Sequence, residues 1–68
     1  MEVGAHIVTI VDKMTSEGLK DVFIPKGTKG IVCEMHKDYA FVEIWGDDAP
    51  EGVWGVYDFG FDEIAEED

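Results

Sequence analysis

The chain has no arginine, a single cysteine and no apolar run that approaches the ~20 residues needed to span a bilayer. Cys33 therefore cannot form an internal disulfide, and a pairing of cysteine with histidine falls short of a structural zinc site. The N-terminus also lacks the basic segment of a signal peptide. We therefore expect a cytoplasmic protein that holds no metal or other cofactor and does not bind membranes.

Basic residues are also absent from the whole second half of the chain. The formal net charge is -11, from 16 acidic residues and five lysines. Residues 1–37 contain five of the acids and all five lysines, so this half is neutral, whereas residues 38–68 contain the other 11 acids. Such an excess of negative charge argues against direct binding to nucleic acid or to an anionic membrane, because both would repel it.

The acidic half is also the aromatic half. Seven of the eight aromatic residues lie within residues 38–68, and a surface that is both acidic and aromatic favours contact with a basic protein surface. Alternate residues of a strand face opposite ways, so Ala40, Val42 and Ile44 would line a tight interior while some large aromatic side chains stay outside. An acidic surface that is merely solvated is the alternative. The expected partner-binding residues are Tyr39, Trp45, Asp47, Asp48, Glu51, Trp54, Tyr57, Asp58, Asp62 and Glu63.

The hydrophobic pattern predicts strands, because no long stretch of the chain has a helical period. Short runs of β-branched and aromatic residues predict four strands, at residues 4–11, 30–36, 39–45 and 53–59. Residues 61–65 predict either a short 3₁₀ turn or a closing strand, and Gly55 predicts a bulge or bend. The polar segment 12–26 predicts a long irregular loop after the first strand, with a short extended piece at residues 22–24.

Part of the sequence resembles a known group of small domains. Residues 25–32 (PKGTKGIV) resemble the Gly-x-x-Gly-x-Val turn of KOW-type and related bacterial SH3-like domains, with Gly27 and Gly30 at the glycine positions. Residues 39–44 are similar to the third strand of these domains, and residues 62–64 resemble their Asp-x-Leu ending. The resemblance implies an all-β fold, a small five-stranded SH3-like barrel with a long loop after its first strand.

The length leaves room for one domain. We place the barrel at residues 1–65 and an acidic C-terminal tail at residues 66–68. KOW-type domains commonly bind RNA or ribosomal protein through basic residues. Residues 38–68 contain no basic residue, so the resemblance is a guide to the fold and not to nucleic-acid binding.

No group of residues in the sequence predicts catalysis. Cys33 and His36 would point to opposite faces of a strand, because their positions differ by three and side chains alternate along a strand. Residues 27–30 lack the spacing and the following helix of a phosphate-binding loop. Residues 47–51 are acidic but lack the alternating ligands of a calcium loop. We therefore expect that the protein is not an enzyme and has no metal site.

Functions from different classes fit these features. The first is a protein-interaction module that presents carboxylates and aromatic rings to a basic surface. In its sharper form it is a nucleic-acid mimic of phage or mobile-element type, which inhibits a nucleic-acid-binding protein. The alternative is a structural or accessory subunit of a larger intracellular complex, and a reader of basic or proline-rich peptides ranks third. We expect a monomer, or a weak homodimer formed through an exposed strand edge.

Overall fold

The computed structural model describes residues 1–67, which form seven β-strands and no helix. The strands are β1 (His6–Thr9), β2 (Lys13–Glu17), β3 (Lys20–Ile24), β4 (Lys29–Met35), β5 (Tyr39–Ile44), β6 (Gly55–Gly60) and β7 (Ile64–Glu66). The predicted all-β fold is thus confirmed. Within the same residues there is no helix that is long and apolar enough to cross a membrane.

Five of the strands form one antiparallel sheet, in the order β6-β5-β4-β1-β7, and β2 and β3 form a separate antiparallel hairpin. The strands predicted at residues 4–11, 30–36, 39–45 and 53–59 correspond to β1, β4, β5 and β6, with their ends displaced by at most two residues. Of the two forms expected for the end of the chain, the structure has the closing strand, β7, which pairs with β1.

The prediction of a long irregular loop at residues 12–26 is wrong, because this segment forms the hairpin β2–β3. Gly18, with a φ of 64°, lets the chain reverse between the two strands. Val22 and Ile24 are buried while Phe23 between them is exposed, which is the period of two of a strand. The sequence pattern predicts only a short extended piece because β2 is polar, so it yields five strands where the structure has seven.

The core lies between the inner face of the sheet and the hairpin β2–β3. As predicted, Ala40, Val42 and Ile44 of β5 point inward, and all three are fully buried. β6 adds Tyr57 and Phe59, and Phe59 is the largest of the fully buried side chains. The other buried apolar residues are Ile7, Val22, Ile24, Val32, Val53 and Ile64. Most of these side chains are β-branched, which suits the pleated surface on which they pack.

Two buried threonines fasten the hairpin to the sheet. The Thr9 hydroxyl donates to the Pro25 carbonyl oxygen at 3.0 Å and accepts from the Thr28 backbone N–H at 2.9 Å. The Thr28 hydroxyl donates to the same Pro25 oxygen at 2.6 Å. The backbone N–H of Gly27 donates to the Thr9 carbonyl oxygen at 2.8 Å. Both threonine side chains therefore satisfy their polar atoms inside the protein.

The turn into β4 needs two glycines for different reasons. Gly27 has a φ of 92°, a left-handed conformation that glycine adopts without steric cost. Gly30 lies where β4 passes close to β5. A Cβ atom on Gly30 would overlap the Val42 Cγ1 and lie 3.0 Å from the Glu43 carbonyl oxygen. The glycine pair thus combines a sharp turn with a close approach of two strands.

The bulge of the sheet lies in β4 and not at Gly55. The register between β4 and β5 shifts between Val32 and Glu34, which leaves Cys33 as the extra residue. Cys33 is exposed while Val32 remains in the core. Gly55 pairs regularly with Ile44. The position of a bulge depends on how two strands pair, so a glycine within one strand does not by itself predict a bulge.

The acidic end of the chain is hydrogen-bonded to β1 up to residue 67. Glu66 is the last residue of β7, and the Glu67 backbone N–H donates to the His6 carbonyl oxygen at 2.8 Å. The tail expected at residues 66–68 is therefore held against β1 at its first two residues. Asp68 lies outside the described residues.

Replacing Gly30 by alanine should destabilise the protein by about 1–3 kcal/mol, because the new methyl group has no room between β4 and β5. Urea denaturation of the two proteins measures this difference. Val42→Ala provides the matched background. In it, Gly30→Ala should lower the free energy of unfolding by a smaller amount, because the opposing side chain is shorter. An equal loss in both backgrounds would show that this contact does not restrain the fold.

Candidate partner-binding face

The outer face of β5 and β6 carries the residues of these strands that do not point into the core. The register places Phe41 opposite Asp58 and Glu43 opposite Val56. A tryptophan follows β5 directly, and a second one directly precedes β6. We refer to this surface as the acidic–aromatic ribbon, and its residues are Tyr39, Phe41, Glu43, Trp45, Trp54, Val56 and Asp58.

Both tryptophans of the ribbon are exposed to solvent. Trp45 is 61% exposed, Trp54 62% and the neighbouring Val56 52%. Together with Glu43, these three side chains line a shallow hollow. Adjacent exposed apolar side chains form the kind of patch that is found at interaction sites, and tryptophan is enriched at the centres of protein interfaces. This end of the ribbon is therefore the best candidate for contact with a partner.

The carboxylates of the ribbon and of the loop beside it lack basic partners within residues 1–67. Neither Glu43 nor Asp58 has a lysine or histidine side chain within ion-pair distance of its carboxylate. The same holds for Asp47, Asp48 and Glu51 in the loop between β5 and β6, and all three are exposed. The charge of these five carboxylates is thus not neutralised by an ion pair within the described part of the chain.

An aromatic cluster lies at the other end of the ribbon. His36, in the turn between β4 and β5, stacks on Tyr39 with ring centroids 4.5 Å apart. Phe41 meets both rings edge-on, at 5.5 Å from His36 and 5.6 Å from Tyr39. The His36 Nε2 lies 3.4 Å from a carboxylate oxygen of Glu34. Tyr39 is 37% exposed, so this end offers less free aromatic surface than the tryptophans do.

The sequence pattern missed four residues of this face, namely His36, Phe41, Glu43 and Val56. Phe41 and Glu43 alternate with Tyr39 and Trp45 along one strand, so the sequence pattern could have included them. Val56 alternates with Trp54 and Asp58 in the same way. His36 carried no such signal, because its position depends on the tight turn between β4 and β5.

Tyr57 is a core residue and does not belong to the exposed face. It is 4% exposed, and its hydroxyl donates to a Glu17 carboxylate oxygen at 3.1 Å and lies 3.4 Å from the Trp54 carbonyl oxygen. Burial raises the pKa of Tyr57, and the hydrogen bond and the negative charge of Glu17 raise it further. The side chain that was expected to meet a partner instead joins β6 to the hairpin.

Asp62 and Glu63 lie beyond the other end of β6 from the acidic loop. Since β6 spans Gly55–Gly60, the two acidic groups are separated by roughly 17 Å. Asp62 is exposed, whereas Glu63 is half-buried and engaged within the protein.

The structure places Trp45 beside Asp48 in one hollow and beside Trp54 in another. The outward positions of β5 and β6 add Tyr39 and Asp58. Glu51 instead lines a hollow with Asp21 and Phe23 of the hairpin.

Lys13 accounts for the different environment of Glu63. The Lys13 Nζ donates to a Glu63 carboxylate oxygen at 2.9 Å and to the Asp58 carbonyl oxygen at 2.6 Å, and it lies 4.7 Å from the centroid of the Phe59 ring. The same Glu63 oxygen accepts from the Gly60 N–H at 2.8 Å. Burial alone would raise the pKa of Glu63, but the Gly60 N–H and Lys13 outweigh it, so the pKa lies below its usual value.

The chain matches no protein-family model, no curated protein and no solved structure. Within residues 1–67, no group of three or more His, Cys, Asp or Glu side chains is placed so that it could hold a metal ion. The candidate site is therefore defined by its own geometry, exposure and charge.

Glu63→Gln should lower the stability by roughly 1–2 kcal/mol at neutral pH, because it removes the charge from two hydrogen bonds. The folded pKa of Glu63 lies below the unfolded value, so its stabilisation is present above the unfolded pKa and is lost as the pH falls through the folded one. Urea denaturation should show the stabilities of the two proteins converging as the pH falls below 4.5, the usual pKa of glutamate. Asp62→Asn is the matched control, and a similar loss there would contradict this assignment.

Caesium ions should quench the tryptophan fluorescence more strongly than iodide ions at low salt, because the carboxylates attract cations and repel anions. Stern–Volmer plots for the two quenchers measure the difference. The double substitution Asp47→Asn, Asp48→Asn should reduce the difference in quenching between caesium and iodide. The double substitution Glu2→Gln, Asp21→Asn, in the neutral half, should leave that difference unchanged. Equal quenching of the unaltered protein by the two ions would mean that the carboxylates do not control the surroundings of the rings.

Proposed function

We propose that this protein is a non-enzymatic, cytoplasmic interaction module whose acidic–aromatic ribbon binds a basic surface of a protein partner. The observation that carries the proposal is the position of Trp45 and Trp54, which are more than half exposed beside carboxylates without basic partners in residues 1–67. A surface rich in lysine and arginine would supply the missing counter-charges. The protein acts as a monomer or a weak homodimer.

Charge and aromatic contacts act at different stages of this interaction. The negative field of the ribbon and its loop accelerates the encounter with a positive surface, and it does so most at low ionic strength. The indole rings then pack into the interface, exclude water and slow dissociation. Neutralising the carboxylates therefore changes mainly the association rate, and truncating the tryptophans changes mainly the dissociation rate.

In its sharper form the proposal describes an inhibitor that imitates nucleic acid. Glu43 and Asp58 lie on the ribbon itself, and Asp48 lies beside Trp45 at one end. At the other end, an Asp62 carboxylate oxygen lies 2.8 Å from where a Cβ atom on Gly60 would be. These carboxylates cover roughly the 17 Å length of β6. A row of negative charges of this length can occupy the groove in which a protein binds several phosphates. The target is then a nucleic-acid-binding protein, for which nucleic acid competes.

A structural or accessory subunit of a larger complex is the second candidate, and a different surface favours it. The outer side of the hairpin carries Met14 and Phe23 directly opposite each other, and they are 66% and 50% exposed. Leu19, at the turn of the hairpin, is fully exposed. Docking through this side would bury apolar area and would depend little on the acidic ribbon.

For the fold we propose an SH3-like barrel formed by the whole chain as one domain. The strand order supports it, because the first and last strands pair with each other and the remaining strands follow as a meander from β4 to β6. The hairpin β2–β3 occupies the place of the long loop between the first two strands of such a barrel. The five barrel strands are then β1, β4, β5, β6 and β7.

Affinity capture from a lysate, followed by binding measurements on the captured protein, tests the proposed function. The immobilised protein should retain a basic partner at low salt and release it as the salt rises, because screening weakens the attraction. Asp47→Asn, Asp48→Asn should weaken binding by about tenfold. Glu2→Gln, Asp21→Asn removes the same charge from the neutral half and should change binding by less than about threefold.

The outcome of the capture also separates the candidate functions. Displacement of the partner by an oligonucleotide would support the mimic. A partner that stays bound at high salt, tolerates the loop substitutions and is lost on Met14→Ser, Phe23→Ser would contradict the proposal and support the accessory subunit.

A further inference from the structure

A second hollow lies beside Trp45, between the sheet and the acidic loop. It is distinct from the hollow between the two tryptophans, although Glu43 and Trp45 line both. Its walls come from β1, β4, β5, the loop and the end of the chain. We refer to it as the Trp45 hollow, and its walls include Ile31, Glu43, Trp45, Asp48, Ala49 and Glu67.

The Trp45 hollow is lined by three carboxylates and by one lysine and one histidine, Lys29 and His6. Of its three carboxylates, that of Glu67 has a counter-ion, the Lys29 ammonium at 3.7 Å. Glu43 and Asp48 have no basic side chain within ion-pair distance in the described part of the chain. The charge of Glu43 reaches the neighbouring strand, because after burial it is the strongest influence that raises the pKa of the Cys33 thiol. Two carboxylates are thus available to a cation that enters the hollow.

Apolar surface completes the hollow and restricts the kind of cation that fits it. The ring of Trp45 is largely exposed, Ile31 is half-buried, and Ala49 packs against the core. A guanidinium group is flat, stacks on an indole ring and can donate two parallel hydrogen bonds to one carboxylate. A lysine ammonium is more strongly hydrated and gains less from a ring. The combination therefore favours arginine.

We propose that the Trp45 hollow is the anchor site for one arginine side chain of the basic partner. The guanidinium stacks on Trp45 between Glu43 and Asp48, and its methylene stem lies along Ile31. This inference rests on the proposed function and adds the side chain that the partner contributes. Because this chain contains no arginine, a second copy of the protein cannot fill the hollow in this way.

Titration with Nα-acetyl-arginine amide tests the site without any partner protein. The indole N–H resonance of Trp45 should shift saturably in NMR spectra, with a Kd in the millimolar range expected for so small a ligand. Trp45→Phe and Trp54→Phe assign the two indole signals. The citrulline analogue has nearly the same shape without the charge and should shift the Trp45 signal little. The lysine analogue should bind at least about threefold more weakly.

Neighbouring aspartates provide a matched pair of variants. Asp48→Asn should weaken binding of the arginine amide by about fivefold to tenfold. Asp47→Asn removes the same charge one position away, outside the hollow, and should leave the affinity within about twofold. Both residues are exposed loop positions, and thermal unfolding verifies that each variant is folded. Equal effects of the two substitutions, a shift centred on Trp54, or equal binding of the lysine analogue would overturn the site.

The proposed function and the arginine anchor fail in different ways. If a partner is captured in a salt-dependent manner but the arginine amide does not shift Trp45, the anchor is wrong and the ribbon remains the binding face. The amide could instead bind as expected while binding of the captured partner is insensitive to salt and to the loop substitutions. In that case the Trp45 hollow is an arginine site, but the proposed function is wrong.

Discussion

The structure depends on the buried hydrogen bonds that hold the hairpin β2–β3 across the open side of the sheet. One small sheet cannot bury its own apolar face, so the hairpin supplies the second layer, to which it contributes Val22 and Ile24. Thr9 and Thr28 fix the chain where it leaves and rejoins the sheet, and both donate to the carbonyl oxygen of Pro25. Removal of one of the two hydroxyls would leave a buried polar network incomplete and would weaken the attachment of the hairpin to the sheet.

The small core then decides which aromatic side chains remain outside. Of the rings in the second half of the chain, only Tyr57 and Phe59 are buried in it. The outward positions of the other rings on β5 and β6 follow from the period of two of these strands. Their identity does not follow from folding, because polar residues at Trp45 and Trp54 would expose less apolar surface to water. A contact made outside the folded chain gives a physical reason for rings of this size at these positions.

The sequence pattern predicted those parts of the fold that depend on neighbours along the chain. In β5 the strict alternation of apolar residues fixes which face is buried, and that prediction is confirmed. The hairpin was missed because β2 is polar and is a strand only through its pairing with β3. The bulge at Cys33 is likewise a matter of register between strands. In the candidate site, the burial of Tyr57 could not be predicted, because both faces of its segment carry large apolar residues. Which face is buried depends on the hairpin, which packs on the face that carries Tyr57.

The unpaired carboxylates connect folding with binding. In the folded chain they repel one another, and dissolved ions relieve that repulsion. Salt should therefore stabilise the folded protein. For the partner proposed above, salt would also weaken the attraction between the two proteins, so screening the same charges would strengthen folding and weaken binding. A bound cation supplies the missing counter-charge and stabilises the fold to which it binds. A basic surface of the kind proposed above would supply such counter-charges to the ribbon.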